Sequence, residues 1–185
     1  IMAQEWKAQS WQGSIITADS GGANGGFAFR CGNDGRLSIA VAANGAWNEA
    51  LSGPVMQSNK WHHVAAVIDQ GAITLYVDGV SVATASFQGA PAANNETFTI
   101  GESTGFPGRF FDGIIDEVRI WNVARSASEI AANVSTMYNG DEPGLAAYLP
   151  MNEGTGTSVN NLSNTDVSGM TVNMDQSNWV EGYQI

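Results

Sequence analysis

This chain of 185 residues is poor in cysteine, in basic residues and in long apolar runs. Cys31 is the only cysteine, so no disulfide can form within the chain. Seven lysines and arginines stand against 18 aspartates and glutamates, which gives a net charge of −11 with both histidines neutral. That charge disfavours nucleic acids and anionic membrane surfaces as partners, and it favours solubility and the attraction of cations such as Ca²⁺. No apolar run reaches the length of a transmembrane helix.

The sequence also lacks the common catalytic motifs. Glycanases that use carboxylates on one strand need them at alternate positions, as in Glu-x-Asp-x-Glu, so that they face one cleft. That pattern is absent, and the neighbours Asp116 and Glu117 would point to opposite faces of a strand. No Gly-x-Ser-x-Gly elbow is present, and the glycine-rich run 21–26 lacks the ending of a phosphate-binding loop. The chain is therefore predicted not to be an enzyme, since a catalytic pair would have to be assembled from distant loops.

What the sequence does contain is a series of short alternating runs, bounded by Gly, Asn, Asp or Pro. The predicted strands are Gly13–Thr17, Phe27–Arg30, Leu37–Ala42, Trp61–Ile68, Ile73–Val77, Val80–Ala85, Thr97–Ile100 and Ile114–Trp121. Asp78 and Gly79 connect two of these runs and predict a type I′ hairpin. Many short strands with one helical segment indicate an all-β protein, a two-sheet antiparallel sandwich. The length fits one domain over residues 1–185.

The one predicted helix begins at a capping box. Ser126 can accept a hydrogen bond from the first turn while Glu129, three residues later, bonds back to it. Ile130, Val134 and Met137 then recur at helical spacing, and the run 140–144 ends the pattern.

A charge interrupts the last predicted strand. Counting by twos, Asp116 shares a face with Ile114, Val118 and Ile120, where an unpaired carboxylate would be costly. Asp116 therefore needs hydrogen-bond donors or a cation. On the other face, Glu117 and its neighbour two residues on, an arginine, read as an outward-facing pair.

Several motifs in a fixed order resemble one family. They are Trp61-His62-His63-Val64-Ala65, Leu75-Tyr76-Val77-Asp78-Gly79, Phe98-Thr99-Ile100-Gly101, Asp112–Asn122, Ala124–Ile130 and Gly144–Gly156. The set resembles the laminin G-like and pentraxin group of the concanavalin A-like lectins and glucanases, in its bacterial form. The resemblance implies a jelly-roll sandwich and one short helix after the last core strand. It also implies export, and hence a secreted or cell-surface protein of several domains from which this domain was excised.

The resemblance further implies a structural calcium ion. In glucanases with this sandwich, an aspartate in a similar strand context binds Ca²⁺, and that role falls here on Asp116. The 19–26 turn would supply backbone carbonyls and Asp19 a second carboxylate, because Ca²⁺ takes six to eight oxygen ligands. The alternative is that Asp116 accepts hydrogen bonds from backbone N–H groups of a neighbouring loop.

The chain has six tryptophans, and those in predicted loops favour a ligand-binding function over a catalytic one. Aromatic rings stack on the apolar faces of sugars, and Trp47 with Asn48 and Phe106 with Arg109 fit that chemistry in predicted loops. The competing interpretation is that these side chains fold onto the rim of the sandwich. The predicted function is a non-catalytic carbohydrate-binding or adhesion module, with a glycan or polysaccharide and the other domains of the parent chain as partners. The alternative is a purely structural or protein–protein interaction domain.

Overall fold

The computed structural model describes residues 1–163, 168–172 and 174–183 in two compact units, Ile1–Gly113 and Ile114–Ile185. The first unit contains nine strands: β1 Met2–Ala3, β2 Gly13–Asp19, β3 Gly26–Gly32, β4 Arg36–Ala43, β5 Ala46–Pro54, β6 Val64–Asp69, β7 Ala72–Val77, β8 Val80–Ser86 and β9 Thr99–Ile100. Strand β10, Gly113–Ile114, lies at the boundary. The second unit contains β11 Val118–Trp121, α1 Ala127–Ala132, β12 Leu145–Leu149, β13 Ser158–Val159, β14 Gly169–Met170 and a 3₁₀ turn at Gln176–Asn178. One domain over residues 1–185 stays a prediction.

The first unit is built from two antiparallel sheets. The larger has the order β5-β4-β3-β2-β9 and the smaller the order β6-β7-β8. Strands β4 and β5 lie against β7 and β8 of the smaller sheet. Antiparallel sheets with one short helix confirm the predicted all-β class and the concanavalin A-like sandwich.

The core of this unit comes from alternating apolar residues. The fully buried members on β4 and β7 are Leu37, Ile39, Val41, Ile73, Leu75 and Val77. Burying such a side chain contributes about 1.5–3 kcal/mol. The alternation over Trp61–Ile68 also predicts Trp61, Val64 and Val67 as core residues, but in the structure they are only half-buried.

Local turn chemistry fixes the hairpin between β7 and β8. Asp78 and Gly79 both have positive φ, 50° and 81°, as a type I′ turn requires, which confirms the prediction. A strand that the alternation did not predict is β5, whose sequence is low in β-branched residues and which pairs with β4 over its whole length.

In the second unit, β11 pairs with β12 in antiparallel register, with Val118 opposite Leu149. Val118 is buried, whereas Ile120, which was predicted to be buried, is only half-buried. Helix α1 has the predicted capping box of Ser126 and Glu129. The helix ends at Ala132 and is shorter than predicted, because Asn133 forms the C-cap.

The predicted continuous strand over 114–121 is wrong. Glu117 adopts a left-handed φ of 56°, so the chain leaves the extended conformation after β10 and resumes it at Val118. The period-two argument that placed Asp116 beside Val118 therefore does not hold. The predicted pair of Glu117 and Arg119 forms, with 2.8 Å between Oε2 and Nη2, but its side chains are 17% and 10% exposed rather than outward-facing.

Candidate functional site

The larger sheet of the first unit has one face lined with polar and small residues, which we call the polar face. Residues directly opposite one another in a sheet point to the same side. Ser14 lies opposite Arg30, which lies opposite Ser38, and the next row runs from Thr17 across to Glu49. The polar face consists of Ser14, Thr17, Asp19, Ala28, Arg30, Ser38, Ala40, Ala42, Trp47 and Glu49, with Leu51 opposite Ser38. Trp47, Glu49 and Leu51, all on β5, are accessible to solvent, and the other members are buried.

Arg30 spans this face from β3 to β5. Its Nη2 donates to Oε1 of Glu49 at 2.8 Å, and β4 lies between the two strands. The side chain can cross β4 because Ser38 and Ala40 are small, and both are buried. Burial lowers the pKa of Arg30, and the charge of Glu49 raises it. The pair thus keeps a charged guanidinium on the face with a carboxylate at its rim.

Three polar atoms in one row of the polar face have no hydrogen-bond partner among the described residues. They are Ser14 Oγ, Arg30 Nε and Ser38 Oγ, all buried. Buried polar groups in native proteins are nearly always satisfied, by protein or by ordered water. Because these atoms are closed to solvent, the partner expected for them is a buried water molecule and not a ligand at the surface.

Asp19, at the end of β2, fastens the loop that follows β9. Its side chain is buried, with Oδ1 accepting from the Gly21 N–H and Oδ2 from the Ser103 hydroxyl, both at 3.1 Å. Ser103 Oγ in turn accepts from the Phe106 N–H at 3.1 Å. Gly105 lies so close to the Asp19 carboxylate that a Cβ would clash with it. This sequence of contacts positions the loop over 103–109 beside the polar face.

Arg109, on that loop, is held between two aromatic rings. Its guanidinium carbon lies 4.4 Å from the ring centroid of Trp11 and 3.8 Å from that of Phe106. Burial lowers the pKa of Arg109, and the charge of Asp19 raises it. The charge of Arg109 in turn lowers the pKa of Arg30, so the three groups are electrostatic neighbours. No hydrogen bond or ion pair of the Arg109 side chain occurs within the described part of the chain.

The structure thus brings Phe106 and Arg109 together, as predicted residues of one site, and adds Trp11. Trp47 and Asn48 lie in strand β5 instead of the predicted loop. Trp47 is half-buried on the polar face, three strands from β2, a separation of about 14 Å at ordinary strand spacing. Asn48 points to the opposite face and donates to the carbonyls of Ala46, Ala43 and Val41, at 3.1, 3.4 and 3.5 Å. These bonds give Asn48 a part in the β4–β5 hairpin.

The predicted metal ligands lie in different units. Asp116, in the second, accepts hydrogen bonds from the backbone N–H groups of Glu117 at 3.0 Å and Tyr183 at 2.7 Å. Burial raises the pKa of Asp116, and these two bonds lower it. Gly182 lies against the carboxylate, where a Cβ would clash. Asp116, like Asp19, thus accepts two hydrogen bonds from the protein. This arrangement agrees with the alternative hypothesis, in which Asp116 accepts hydrogen bonds from backbone N–H groups and binds no calcium.

The described residues contain no group of three or more His, Cys, Asp and Glu side chains that could hold a metal ion. The donors around Asp116 and Asp19 would compete with an ion for the same oxygens. The side chains around these two aspartates do not form a carboxylate cage for Ca²⁺, which takes six to eight oxygens. A calcium ion at Asp116 and Asp19 remains a prediction.

A second cation–aromatic cluster, in the second unit, was not predicted from the sequence. Arg119 lies 4.6 Å from the ring centroid of Tyr138 and 5.8 Å from that of Tyr148. The Tyr148 hydroxyl donates to Glu117 at 2.9 Å, and burial raises the pKa of Tyr148 to about 12, with Glu117 adding to the shift. Arg119 also donates to the Asn133 and Thr136 carbonyls. The only sequence signal was the predicted Glu117–Arg119 pair.

Comparison with known proteins gives one family. The laminin G-type family model described as the concanavalin A-like lectin/glucanases superfamily matches residues 6–131. No curated protein matches the sequence significantly. In the described part of the chain, no helix is long and apolar enough to cross a bilayer.

Two solved structures are similar to this chain. A candidate carbohydrate binding protein from Bacteroides ovatus superposes with a TM-score of 0.69 at 24% identity, over 87% of this chain and 47% of that chain. This likeness shows the fold, and the chain spans about half the length of that protein. An S-layer domain-containing protein from Clostridium thermocellum matches with a TM-score of 0.33 at 23% identity, over 73% of this chain and 69% of that chain. The second superposition is too weak to support an argument.

Proposed function

We propose a carbohydrate-binding function for this chain, which belongs to the concanavalin A-like lectin/glucanase superfamily. The domain is a non-catalytic module of a secreted or cell-surface bacterial protein, and its ligand is a glycan that binds at the accessible edges of the polar face of the larger sheet. The description of the similar Bacteroides ovatus protein as a candidate carbohydrate binding protein supports this proposal.

The observation that carries the proposal is the composition of the polar face. Its centre is closed to solvent at Ser14, Arg30 and Ser38, and the groups that are open to a ligand, aromatic rings among them, lie towards its two edges. Trp47 is on β5, and Trp11 and Phe106 flank Arg109 beside β2. Sugar recognition needs flat apolar surfaces for the ring and convergent donors and acceptors for the hydroxyls. The edges of the polar face offer both, with these rings and the accessible side chains of Arg109 and Glu49.

The carboxylates of the face argue against glycoside hydrolysis. Asp19 on β2 and Glu49 on β5 are three strands apart, about 14 Å between their backbones. Retaining enzymes need their carboxyl groups about 5–5.5 Å apart and inverting enzymes about 6.5–9.5 Å. Asp19 is also buried and bonded to Ser103 and Gly21, and Glu49 is paired with Arg30. Both carboxylates thus take part in contacts within the fold, which supports a non-catalytic role.

A glycan array probed with the folded chain and with two tryptophan variants tests the proposal. Trp47→Ala removes a ring from the polar face, whereas Trp179→Ala is a matched control in the second unit, where Trp179 Nε1 bonds the Gly156 carbonyl. We expect the wild-type chain and Trp179→Ala to bind the same glycans and Trp47→Ala to lose them. If the wild-type chain binds no glycan in any buffer, including one with Ca²⁺, the structural or protein–protein alternative replaces this function.

A further inference from the structure

We infer that Arg109 is the subsite for an acidic sugar, and that the ligand of the polar face carries a carboxylate on one of its residues. This inference rests on the proposed carbohydrate-binding function and specifies its ligand class. It starts from a guanidinium that is held in place and whose hydrogen-bonding capacity is unused.

The aromatic rings fix Arg109 without using its N–H groups. The ring centroids of Trp11 and Phe106 lie 4.4 and 3.8 Å from the guanidinium carbon, and these contacts use none of its N–H groups as hydrogen-bond donors. A cation on an aromatic face keeps its in-plane N–H edge available. Across the described residues, no carboxylate lies within ion-pair distance of this side chain and no acceptor bonds it. Because the side chain is already ordered, binding a ligand does not require the further loss of conformational entropy that ordering an arginine would cost.

The other arginines of the first unit differ on this point. Arg30 is paired with Glu49 at 2.8 Å, and Arg36 is paired with Asp34 at 3.1 Å. Asp19 is an electrostatic neighbour of Arg109, but both of its oxygens already accept hydrogen bonds. Arg109 is thus the guanidinium of this unit that can accept a new anion.

A carboxylate suits this guanidinium because the planar fork of arginine binds it with two parallel hydrogen bonds. The adjacent groups favour a sugar that carries this acid. Trp11, which is 37% exposed, and the half-buried Phe106 border the guanidinium and leave ring surface open to a sugar. The net charge of −11 opposes a densely charged polymer, so a short glycan with few acidic groups is the better fit.

The test compares ligands that differ in charge alone. Binding of trigalacturonic acid and of its trimethyl ester is measured by calorimetry at low and high salt. The ester keeps the rings and most hydroxyls but removes the negative charges. We expect the acid to bind at least about tenfold more tightly than the ester, as for a charge-assisted pair of hydrogen bonds. A sulfated galactose trisaccharide forms a third arm and distinguishes a carboxylate from a sulfate as the source of the anion.

Variants locate the subsite. Arg109→Gln removes the cation and is expected to abolish the preference for the acid, and Arg109→Lys, which keeps the charge without the fork, to restore only part of it. Lys60→Gln is the matched control, since Lys60 is an exposed cation in a turn. Circular dichroism verifies that each variant is folded.

The outcomes separate this inference from the proposed function. Equal binding of acid and ester by the wild-type chain overturns the acidic subsite and leaves carbohydrate binding intact. Preference for the sulfated sugar alone overturns the carboxylate assignment. A preference for the acid that survives Arg109→Gln places the subsite elsewhere and contradicts the inference. If a glycan array also finds no ligand of any charge, the proposed function itself is wrong.

Discussion

Two arginines of this chain, one in each compact unit, stack on aromatic pairs and are used in opposite ways. Arg109 lies between Trp11 and Phe106 with no ion pair among the described residues. Arg119 contacts the rings of Tyr138 and Tyr148, pairs with Glu117 and donates to two backbone carbonyls. The same cation–aromatic arrangement thus has both Nη groups bonded within the protein in one unit, with Nε buried, and has no hydrogen bonds within the described residues in the other.

This difference separates a structural role from a binding role. A guanidinium whose donors are occupied by its own protein stabilises the segments that supply the acceptors. A guanidinium that is held only by contacts with aromatic rings has N–H groups available to bind a partner. Loss of Arg119 should therefore appear in stability, and loss of Arg109 in binding.

The largest expected effect is that of Arg119→Gln on stability. The variant leaves the Glu117 carboxylate, whose side chain is 17% exposed, without a cation beside it. Breaking such a pair costs about 3 kcal/mol of unfolding free energy, because an uncompensated charge stays buried. Urea unfolding followed by tryptophan fluorescence measures the change. Arg125→Gln is the control: it removes an i,i+4 ion pair with Glu129 and a cation–π contact with Trp121, both partly exposed, and should cost no more than about 1 kcal/mol. Equal losses in both variants would contradict the structural role of Arg119.

A smaller loss is expected for Arg109→Gln. Two partly exposed cation–π contacts are worth about 1 kcal/mol together, and no buried carboxylate is left unpaired. The same urea experiment measures it. A destabilisation as large as that of Arg119→Gln would show that Arg109 is a structural residue and would remove the basis of the comparison.

Local patterns in the sequence were enough to predict much of the fold. The Asp78-Gly79 hairpin and the Ser126 capping box depend on residues within one turn of each other, and both are confirmed. The β5 strand was missed because its residues gain extended structure from pairing with β4 and not from their own propensity. The strand over 114–121 was predicted too long, since the left-handed conformation of Glu117 left no mark in the alternation.

The site was less predictable than the fold, because its contacts join distant segments. Phe106 and Arg109 were recognised together from a short loop sequence, but the stacking of Arg109 on Trp11 depends on the topology. In the sequence, Arg30 was predicted only as the last residue of a strand, although in the structure its ion pair with Glu49 spans the polar face. One signal in the sequence could have revealed it. Arg30 lies between Phe29 and Cys31 in a strand, so its side chain points to the face opposite theirs, and a charge there indicates a face with polar partners.

Calcium is expected to have the smallest effect of those considered. The predicted ion at Asp116 and Asp19 requires a higher melting temperature in Ca²⁺ than in chelator, because an ion bound only to the folded state stabilises it. Scanning calorimetry of the wild-type chain and of Asp116→Asn in both buffers decides the question. An identical melting temperature in both buffers would remove the ion and leave Asp116 as an acceptor for the Glu117 and Tyr183 N–H groups.

The most direct test of the contrast between the two arginines is a ¹H–¹⁵N spectrum of the arginine side-chain Nε–H groups during a titration with trigalacturonic acid. The resonances are assigned with Arg109→Gln and Arg119→Gln. The Arg109 signal should shift progressively with ligand while the Arg119 signal stays in place, because Arg109 is partly accessible and has no internal acceptor among the described residues, whereas Arg119 is 10% exposed and donates from both Nη groups to its own protein. An unmoved Arg109 signal at ligand concentrations that saturate binding, or a shift confined to Arg119, would contradict the account.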